Sequence, residues 1–311
     1  MSKIAITLGD PASIGSEITQ KALKNLKNTI NFSNVILIGN QKIYGNCSCG
    51  GEFVDIPSSE EIELGRFSAD TGKVAFLSIK KAIELAKQRE IAAIVTAPIS
   101  KEAINLAGYE FSGHTEILDK FLEGDAQMLF VARDFRTLLL TRHVPLFQLA
   151  NIVKKDFIEK ELKNLCNSLQ KMGIKHPKIA LCGMNPHAGE NGLLGKEEQE
   201  EFYPAIKSLQ AQGLDVCGAF SADMLFSKVA KAYNMKEKQP YDCYVAVYHD
   251  QGLCAVKSID FEKTVNVTIG LEVLRTSPCH GTAFDIAGKG HANFSSMEEA
   301  ILLAYNSCNS Q

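Results

Sequence analysis

Three histidines occupy equivalent places in the sequence, each shortly after an apolar run with the composition of a strand. His143 follows RTLLLTR, His187 follows KIALCGMNP, and His249 follows YDCYVAVY. Strand ends of an open α/β sheet meet at one edge, so the three imidazoles can converge. Three imidazoles with one open position form a catalytic site for Zn²⁺ or a similar divalent ion. The shared context therefore favours a metal site, although a single histidine of this kind more often bonds to backbone at a strand end.

One group that could move a proton is next to His249 in the sequence, and two others lie farther from it along the chain. Asp250 follows His249 directly, and Asp223 stands at a strand end in SADMLF. Either carboxylate can orient a metal ligand or relay a proton, and Lys257 is a further candidate for the proton-transfer group. Asp223 is equally compatible with a helix cap, because aspartates at strand ends often serve that purpose.

A second polar group has the composition of an anion site. His114 and Thr115 precede a short helical stretch at 116–122, where free backbone N–H groups can receive an anion. Lys257, Asn266 and Arg275 can supply the remaining charge and amide for a phosphate or a carboxylate. The alternative is that Thr115 only caps the helix and that the other side chains are solvated.

No standard nucleotide motif accompanies these residues. GDPASIG (9–15) follows a strand, but it is neither G-x-G-x-x-G nor G-x-x-x-x-G-K-[ST]. Any dinucleotide must therefore bind by a geometry other than the Rossmann or P-loop one, and no residue is assigned to it.

The elements that position these groups alternate between strands and helices. Helical stripes occupy residues 71–89, 116–122, 154–171 and 196–212, and strand-like runs occupy residues 4–8, 35–39, 91–96, 127–132, 136–141, 178–183, 216–220, 241–248 and 265–269. Several strands are apolar almost throughout, which is typical of strands covered on both faces. The pattern predicts an α/β protein with mostly parallel sheets.

Composition narrows the function classes. The chain has 311 residues and a formal net charge of −3, so it lacks the positive charge that drives binding to nucleic acid. No apolar run approaches the length of a membrane span, and no signal-peptide pattern opens the chain, so we expect a cytoplasmic protein. The nine cysteines include no C-x₂-C pair and are expected to be reduced thiols; Cys47 and Cys49 are too few ligands for a zinc site.

Seven motifs together resemble one enzyme family. In chain order these are GDPASIGSE, TAPISK, SGHTE, GMNPHAGE, YHDQG, VNVTIGLEVLRTS and HGTAFDIAGKG, and they resemble the 4-hydroxythreonine-4-phosphate dehydrogenases of pyridoxine 5′-phosphate biosynthesis. The resemblance implies two α/β/α domains related to the isocitrate and isopropylmalate dehydrogenase fold, with the active site in the interdomain cleft. The predicted division is 1–125 plus 276–311 for the first domain and 126–275 for the second.

The resemblance also implies site residues and partners. The metal ligands map onto His143, His187 and His249, and the substrate contacts map onto His114, Thr115, Lys257, Asn266 and Arg275. NAD or NADP and one divalent ion (Zn, Mg or Co) are the implied cofactors. The family forms homodimers in which both subunits contribute ligands to each active site.

The expected reaction is the oxidation of 4-hydroxythreonine 4-phosphate at C3, followed by decarboxylation to 3-amino-2-oxopropyl phosphate. One alternative is a dehydrogenase of a related four-carbon phosphorylated acid, such as erythronate or threonate 4-phosphate. Others are an acyltransferase of the phosphate acetyltransferase type and a three-histidine metal hydrolase. A binding or scaffold role is the least expected, given the number of polar strand ends.

Overall fold

The computed structural model describes residues 2–45 and 51–309, so the expectation for Cys47 and Cys49 lies outside the described residues. The strands, in chain order, are β1 Lys3–Thr7, β2 Val35–Gly39, β3 Glu52–Asp55, β4 Ile91–Thr96, β5 Gly124–Ala132, β6 Phe135–Leu139, β7 Lys178–Cys182, β8 Asp215–Phe220, β9 Cys243–Ala246, β10 Val265–Leu271 and β11 Leu274–Pro278. The α-helices are α1 Gly15–Asn25, α2 Gln41–Tyr44, α3 Ala69–Lys87, α4 Lys101–Leu106, α5 His114–Phe121, α6 Leu149–Ile152, α7 Lys155–Lys171, α8 Tyr203–Ala211, α9 Ala222–Met235, α10 His249–Asp260 and α11 Ser295–Asn309.

The chain divides into two compact units. The first unit comprises Met1–Ala126 and Val265–Gln311, and the second comprises Gln127–Thr264. Val265–Leu271 belongs to the first unit because β10 pairs antiparallel with β11, which in turn pairs parallel with β4. The chain therefore returns to the first unit at Val265, eleven residues before the boundary predicted at 276.

The first unit is built on strands in the order β3-β2-β1-β4-β11-β10. Strands β1, β2 and β4 are almost continuously apolar and buried, as expected for parallel strands covered on both faces. On one face, Ala5 and Ile94 join a core with Ile79 and Ile83 of α3. On the other face, α11 packs on β11, where Thr276 donates a hydrogen bond to the Ala300 carbonyl at 2.8 Å.

The second unit has strands in the order β5-β6-β9-β7-β8. Strands β5 and β6 are antiparallel, whereas β6, β9, β7 and β8 run parallel to one another. The carboxyl ends of β6, β9 and β7 consequently lie side by side at one edge. His143, His249 and His187 follow those three strands, so the fold supplies the common edge that the sequence pattern requires.

Some elements differ from the sequence expectations. The strand expected at 241–248 is confined to Cys243–Ala246, and the helix expected at 196–212 begins as a π-helical turn at Glu198–Phe202 before α8. Strand β11 was not expected, because LRTSP has neither alternation nor a continuous apolar run. Across the described residues, no helix combines the length and apolar character needed to cross a membrane.

Candidate functional site

Two of the three predicted metal ligands lie together in the second unit. The ring centroids of His143 and His249 are 5.6 Å apart. Two imidazoles bound to one ion at the tetrahedral angle place their centroids about 5 Å apart, given the usual metal–nitrogen distance. The pair is therefore spaced as two ligands of one ion would be.

A neighbouring carboxylate orients the His249 ring. Nδ1 of His249 donates to Oδ1 of Asp250 at 2.7 Å, which leaves Nε2 as the nitrogen available to a ligand. A histidine that binds a metal usually donates its other N–H to a carboxylate in this way. The Asp250 side chain itself is 81% exposed, so it can exchange protons with water.

His187 lies on a turn whose backbone is unusual. Residues 187–191 all have positive φ, with His187 at 52°. The turn is held by Glu198, which is only 1% exposed. Oε1 of Glu198 accepts the backbone N–H groups of Met184 and Asn185, both at 2.8 Å, and Oε2 accepts Nδ2 of Asn185 at 2.9 Å. A buried carboxylate with three donors fixes the base of the turn before any ligand arrives.

The structure does not bring all three predicted metal ligands together. Among the described residues, no three His, Cys, Asp or Glu side chains form a group that could hold a metal ion. His143 and His249 are thus brought together, whereas the joining of His187 to them stays a prediction.

The two other proton-transfer candidates have different surroundings. Asp223 lies in the first turn of α9 and accepts a hydrogen bond from the Ser221 hydroxyl. That bond, a backbone bond from Met224 and the charge of His187 lower the pKa of Asp223, which makes it a weak proton acceptor. Because the N-cap of α9 is Ser221, the interpretation of Asp223 as a helix cap is wrong. Lys257 is exposed, lies ~12 Å along α10 from His249, and places Nζ 6.0 Å from the Phe261 ring.

Two of the predicted anion ligands, Asn266 and Arg275, lie on one polar stripe of the first unit. Thr7 is the register partner of Thr96, and Thr268 is the register partner of Arg275. Register partners and alternate residues share a face of a sheet. The sheet face that packs against α3 therefore also carries Thr7, Thr96, Arg275, Thr268 and Asn266.

Arg275 is the charged centre of this stripe. It is 2% exposed, yet it forms no ion pair with any residue in the described part of the chain. Nε and Nη2 donate to Thr96 Oγ1 at 2.9 and 2.7 Å, and Nη1 donates to Thr268 Oγ1 at 3.4 Å. Burial lowers the pKa of Arg275 to about 9, while Glu116 raises it. A buried cation whose hydrogen bonds go to hydroxyls is expensive unless an anion binds it.

Unpartnered polar atoms also occur in this unit. In the described residues of the first unit, Nε2 of His114, Oδ1 of Asn266, Oγ1 of Thr7 and Nε2 of His280 are buried without a hydrogen-bond partner. Burial, and next the charge of Arg275, hold the pKa of His114 well below its ordinary value against the opposing effect of the Ala97 carbonyl. His114 is therefore a neutral acceptor at neutral pH. Buried polar groups without partners commonly mark the place of a ligand.

The helix next to this stripe begins earlier than expected. Helix α5 starts at His114, and its N-cap is Gly113 with no side-chain cap. Thr115 is thus inside the first turn, so the interpretation of Thr115 as the cap is wrong. Its buried position beside His114 leaves the ligand interpretation as a prediction.

Several supporting residues were not identified from the sequence. Thr7, Thr96 and Thr268 end or interrupt apolar strands in ITLGD, IVTAP and VNVTIG. A hydroxyl residue at such a place in an apolar strand is the sequence feature that could have identified them. In the sequence, Glu198 is one of several acids at a predicted helix N-terminus. No local feature distinguishes it from Glu197 or Glu200.

Several known proteins are similar to this chain. Residues 4–304 match the family model described as "Pyridoxal phosphate biosynthetic protein PdxA". A relative from Clostridium botulinum, described as "Putative D-threonate 4-phosphate dehydrogenase", is 38% identical over 97% of this chain and 95% of its own. A 4-hydroxythreonine-4-phosphate dehydrogenase from Klebsiella pneumoniae has 34% identity, a TM-score of 0.84 and 99% coverage of both chains. The corresponding enzyme from Burkholderia phymatum has 35% identity, a TM-score of 0.81 and coverage of 99% and 98%.

More distant structures share the fold alone. A β-decarboxylating dehydrogenase from Thermococcus kodakarensis has 14% identity and a TM-score of 0.56. A branched-chain phosphotransacylase from Enterococcus faecalis has 16% identity and a TM-score of 0.57. The likeness to the phosphotransacylase is thus no argument for acyl transfer. The expected fold and the expected dehydrogenase class are confirmed, and the chain belongs to the PdxA family of pyridoxal phosphate biosynthetic proteins.

Proposed function

We propose that this protein oxidises the C3 hydroxyl of a four-carbon phosphorylated acid, using NAD or NADP and one divalent metal ion. The observation that carries the proposal is the buried, unpaired Arg275 beside the unpartnered atoms of His114 and Asn266. The first candidate substrate is 4-hydroxythreonine 4-phosphate. The second is D-threonate 4-phosphate, which is favoured by the name of the Clostridium botulinum relative.

The first unit binds the phosphate in this proposal. Thr96 and Thr268 occupy three guanidinium N–H groups of Arg275, which leaves one hydrogen on each terminal nitrogen for phosphate oxygens. His114 and Thr115 lie at the start of α5, whose N-terminal dipole favours an anion. Asn266 contributes its amide. Lys257 remains a proposed substrate contact that belongs to the other unit.

The second unit holds the metal in this proposal, with His143, His187 and His249 as ligands. The donor set fits zinc or cobalt, because imidazole suits such ions and two of the rings already have ligand spacing. Magnesium, the third ion that the resemblance implies, prefers oxygen ligands. When bound, such an ion lowers the pKa of an alcohol that it contacts. Asp250 holds His249 in the tautomer that leaves Nε2 free.

Proton transfer is assigned to exposed groups of the same unit. Asp250 is the first candidate, since its carboxylate is both next to the His249 ring and open to water. Lys257 is the second, and Asp223 is the weakest because its pKa is lowered. A bound nicotinamide would supply the hydride acceptor for the oxidation at C3. The 3-oxo acid then loses CO₂, because the carbonyl stabilises the resulting enolate.

The assembly proposed for this reaction is a cytoplasmic homodimer in which both subunits contribute to each active site. The light-scattering mass of the purified protein tests the dimer directly.

The deciding assay follows absorbance at the NADH band with each candidate substrate, with and without a chelator. A chelator-sensitive rise supports the proposal, and the larger kcat/KM identifies the substrate. An acyltransferase or a metal hydrolase gives no rise with either compound. His187→Ala should abolish the rise, and His176→Ala is the matched control because His176 is an exposed histidine of the same unit.

A further inference from the structure

One side-chain amide joins two of the segments that carry the predicted metal ligands. Gln251 lies in the first turn of α10, two residues after His249. Its Oε1 accepts the backbone N–H of Val247 at 2.6 Å, and its Nε2 donates to the Gly183 carbonyl at 2.9 Å. Val247 precedes His249, whereas Gly183 begins the loop that carries His187. The amide therefore spans the gap where β9 and β7 cease to pair after Val245 and Leu181.

Val247 also contacts the third segment, which carries His143. The Val247 carbonyl accepts the backbone N–H of Thr141 at 3.1 Å and its hydroxyl at 2.7 Å. Thr141 lies just before His143 in the sequence. The carbonyl of Val247 thus holds the Thr141 segment directly, and its N–H group holds the Gly183 segment through Gln251.

The far end of the amide lies directly under the His187 loop. A Cβ at Gly183 would come within 2.9 Å of Cα of Ala188, so the loop folds back onto Gly183 just beyond His187. Only glycine permits this approach. A shift of the Gly183 carbonyl would therefore be passed to the backbone next to His187.

We propose that Gln251 is a positioning residue that sets the spacing between the His187 loop and the His249 segment. The proposal rests on the proposed function, because the histidines are its metal ligands. An amide is required, since it accepts from one backbone group and donates to another at the same time. A carboxylate of the same shape still accepts from Val247, but it cannot donate to Gly183 and faces the carbonyl oxygen with negative charge.

The test compares Gln251→Glu with Gln212→Glu. Gln212 is an exposed glutamine of the same unit whose side-chain amide donates to the carbonyl and hydroxyl of Ser208, so its variant controls for the added charge. Metal-free wild type and variants are titrated with Co²⁺, whose visible absorption reports the number and geometry of its ligands. Hydrogen–deuterium exchange of residues 183–191 is measured on the same metal-free proteins.

Gln251→Glu should bind Co²⁺ about 10–100-fold more weakly, with an altered visible spectrum and faster exchange at residues 183–191. Gln212→Glu should match wild type in all three measurements. Wild-type Co²⁺ affinity and spectrum in Gln251→Glu would overturn the proposal. Where Gln251→Glu does not fold, Gln251→Met removes both hydrogen bonds without adding charge and takes its place.

The exchange measurement separates this inference from the proposed function. If wild type binds no Co²⁺, the metal centre of the proposed function is wrong. In that case, faster exchange at residues 183–191 in Gln251→Glu but not in Gln212→Glu would still support the positioning role of Gln251. Unchanged exchange in Gln251→Glu would refute it.

Discussion

Replacing Arg275 with methionine should have opposite effects on ligand binding and on the stability of the ligand-free protein. Methionine fills much of the same volume without charge. Burial lowers the pKa of Arg275 from 12.5 to about 9, which corresponds to a cost of up to about 5 kcal/mol for keeping the charge buried. Loss of the bonds to Thr96 and Thr268 offsets part of this gain, by about 1–2 kcal/mol for each hydroxyl. The ligand-free variant should therefore be at least as stable as wild type.

Binding of the phosphorylated substrate should weaken strongly in the same variant. The two guanidinium hydrogens left free by Thr96 and Thr268 form charge-assisted bonds worth about 1.5–3 kcal/mol each. Their loss corresponds to about 100- to 10,000-fold in affinity. The dephosphorylated compound makes no such contact, so its much weaker binding should be nearly unchanged.

Two measurements check this prediction. Steady-state kinetics give KM for the phosphorylated and dephosphorylated substrates, and urea unfolding gives the free energy of unfolding without ligand. Lys120→Met is the matched control, because Lys120 is an exposed cation on α5 of the same unit. Equal changes in KM for the two compounds would refute the phosphate assignment. A large loss of stability without ligand would instead make Arg275 a structural residue.

Three further predictions concern other parts of the molecule. His187→Ala should lower metal content and reduce turnover by several orders of magnitude, as metal analysis and the NADH assay will measure; full activity in the metal-depleted variant would contradict the metal centre. Burial raises the pKa of Asp10 to about 6 from 3.8, so the stability that it contributes is complete below pH 3.8 and is lost as pH rises through 6, by about 3 kcal/mol. Asp10→Asn should remove this decline while keeping a bond from Ala12, and an unchanged pH profile of urea unfolding would contradict the assignment. Glu198→Ala should weaken metal binding more than Glu198→Gln, which retains an acceptor for the turn; equal affinities by Co²⁺ titration would show that Glu198 does not hold the His187 loop.

The position of the chemistry along the chain follows from local sequence. Apolar runs such as those before His187 and His249 form strands because continuous burial on both faces requires such residues. Polar residues that follow them must then lie at the strand ends. This reasoning predicted the α/β fold, and the motifs predicted the family that the comparisons identify.

The contacts that organise these residues depend on tertiary structure, because their partners are remote in sequence. Thr96 and Arg275 are 179 residues apart, and Gly183 and Gln251 are 68 residues apart. Sequence periodicity carries information over one or two turns of helix or a few strand residues, so it cannot pair such groups. Strand register determines that Thr96 meets Arg275, and the divergence of β7 from β9 creates the gap that Gln251 fills. The residue types and their strand-end positions are thus properties of the sequence, whereas the burial of an unpaired arginine and the bridging of the histidine segments arise only when the sheets form.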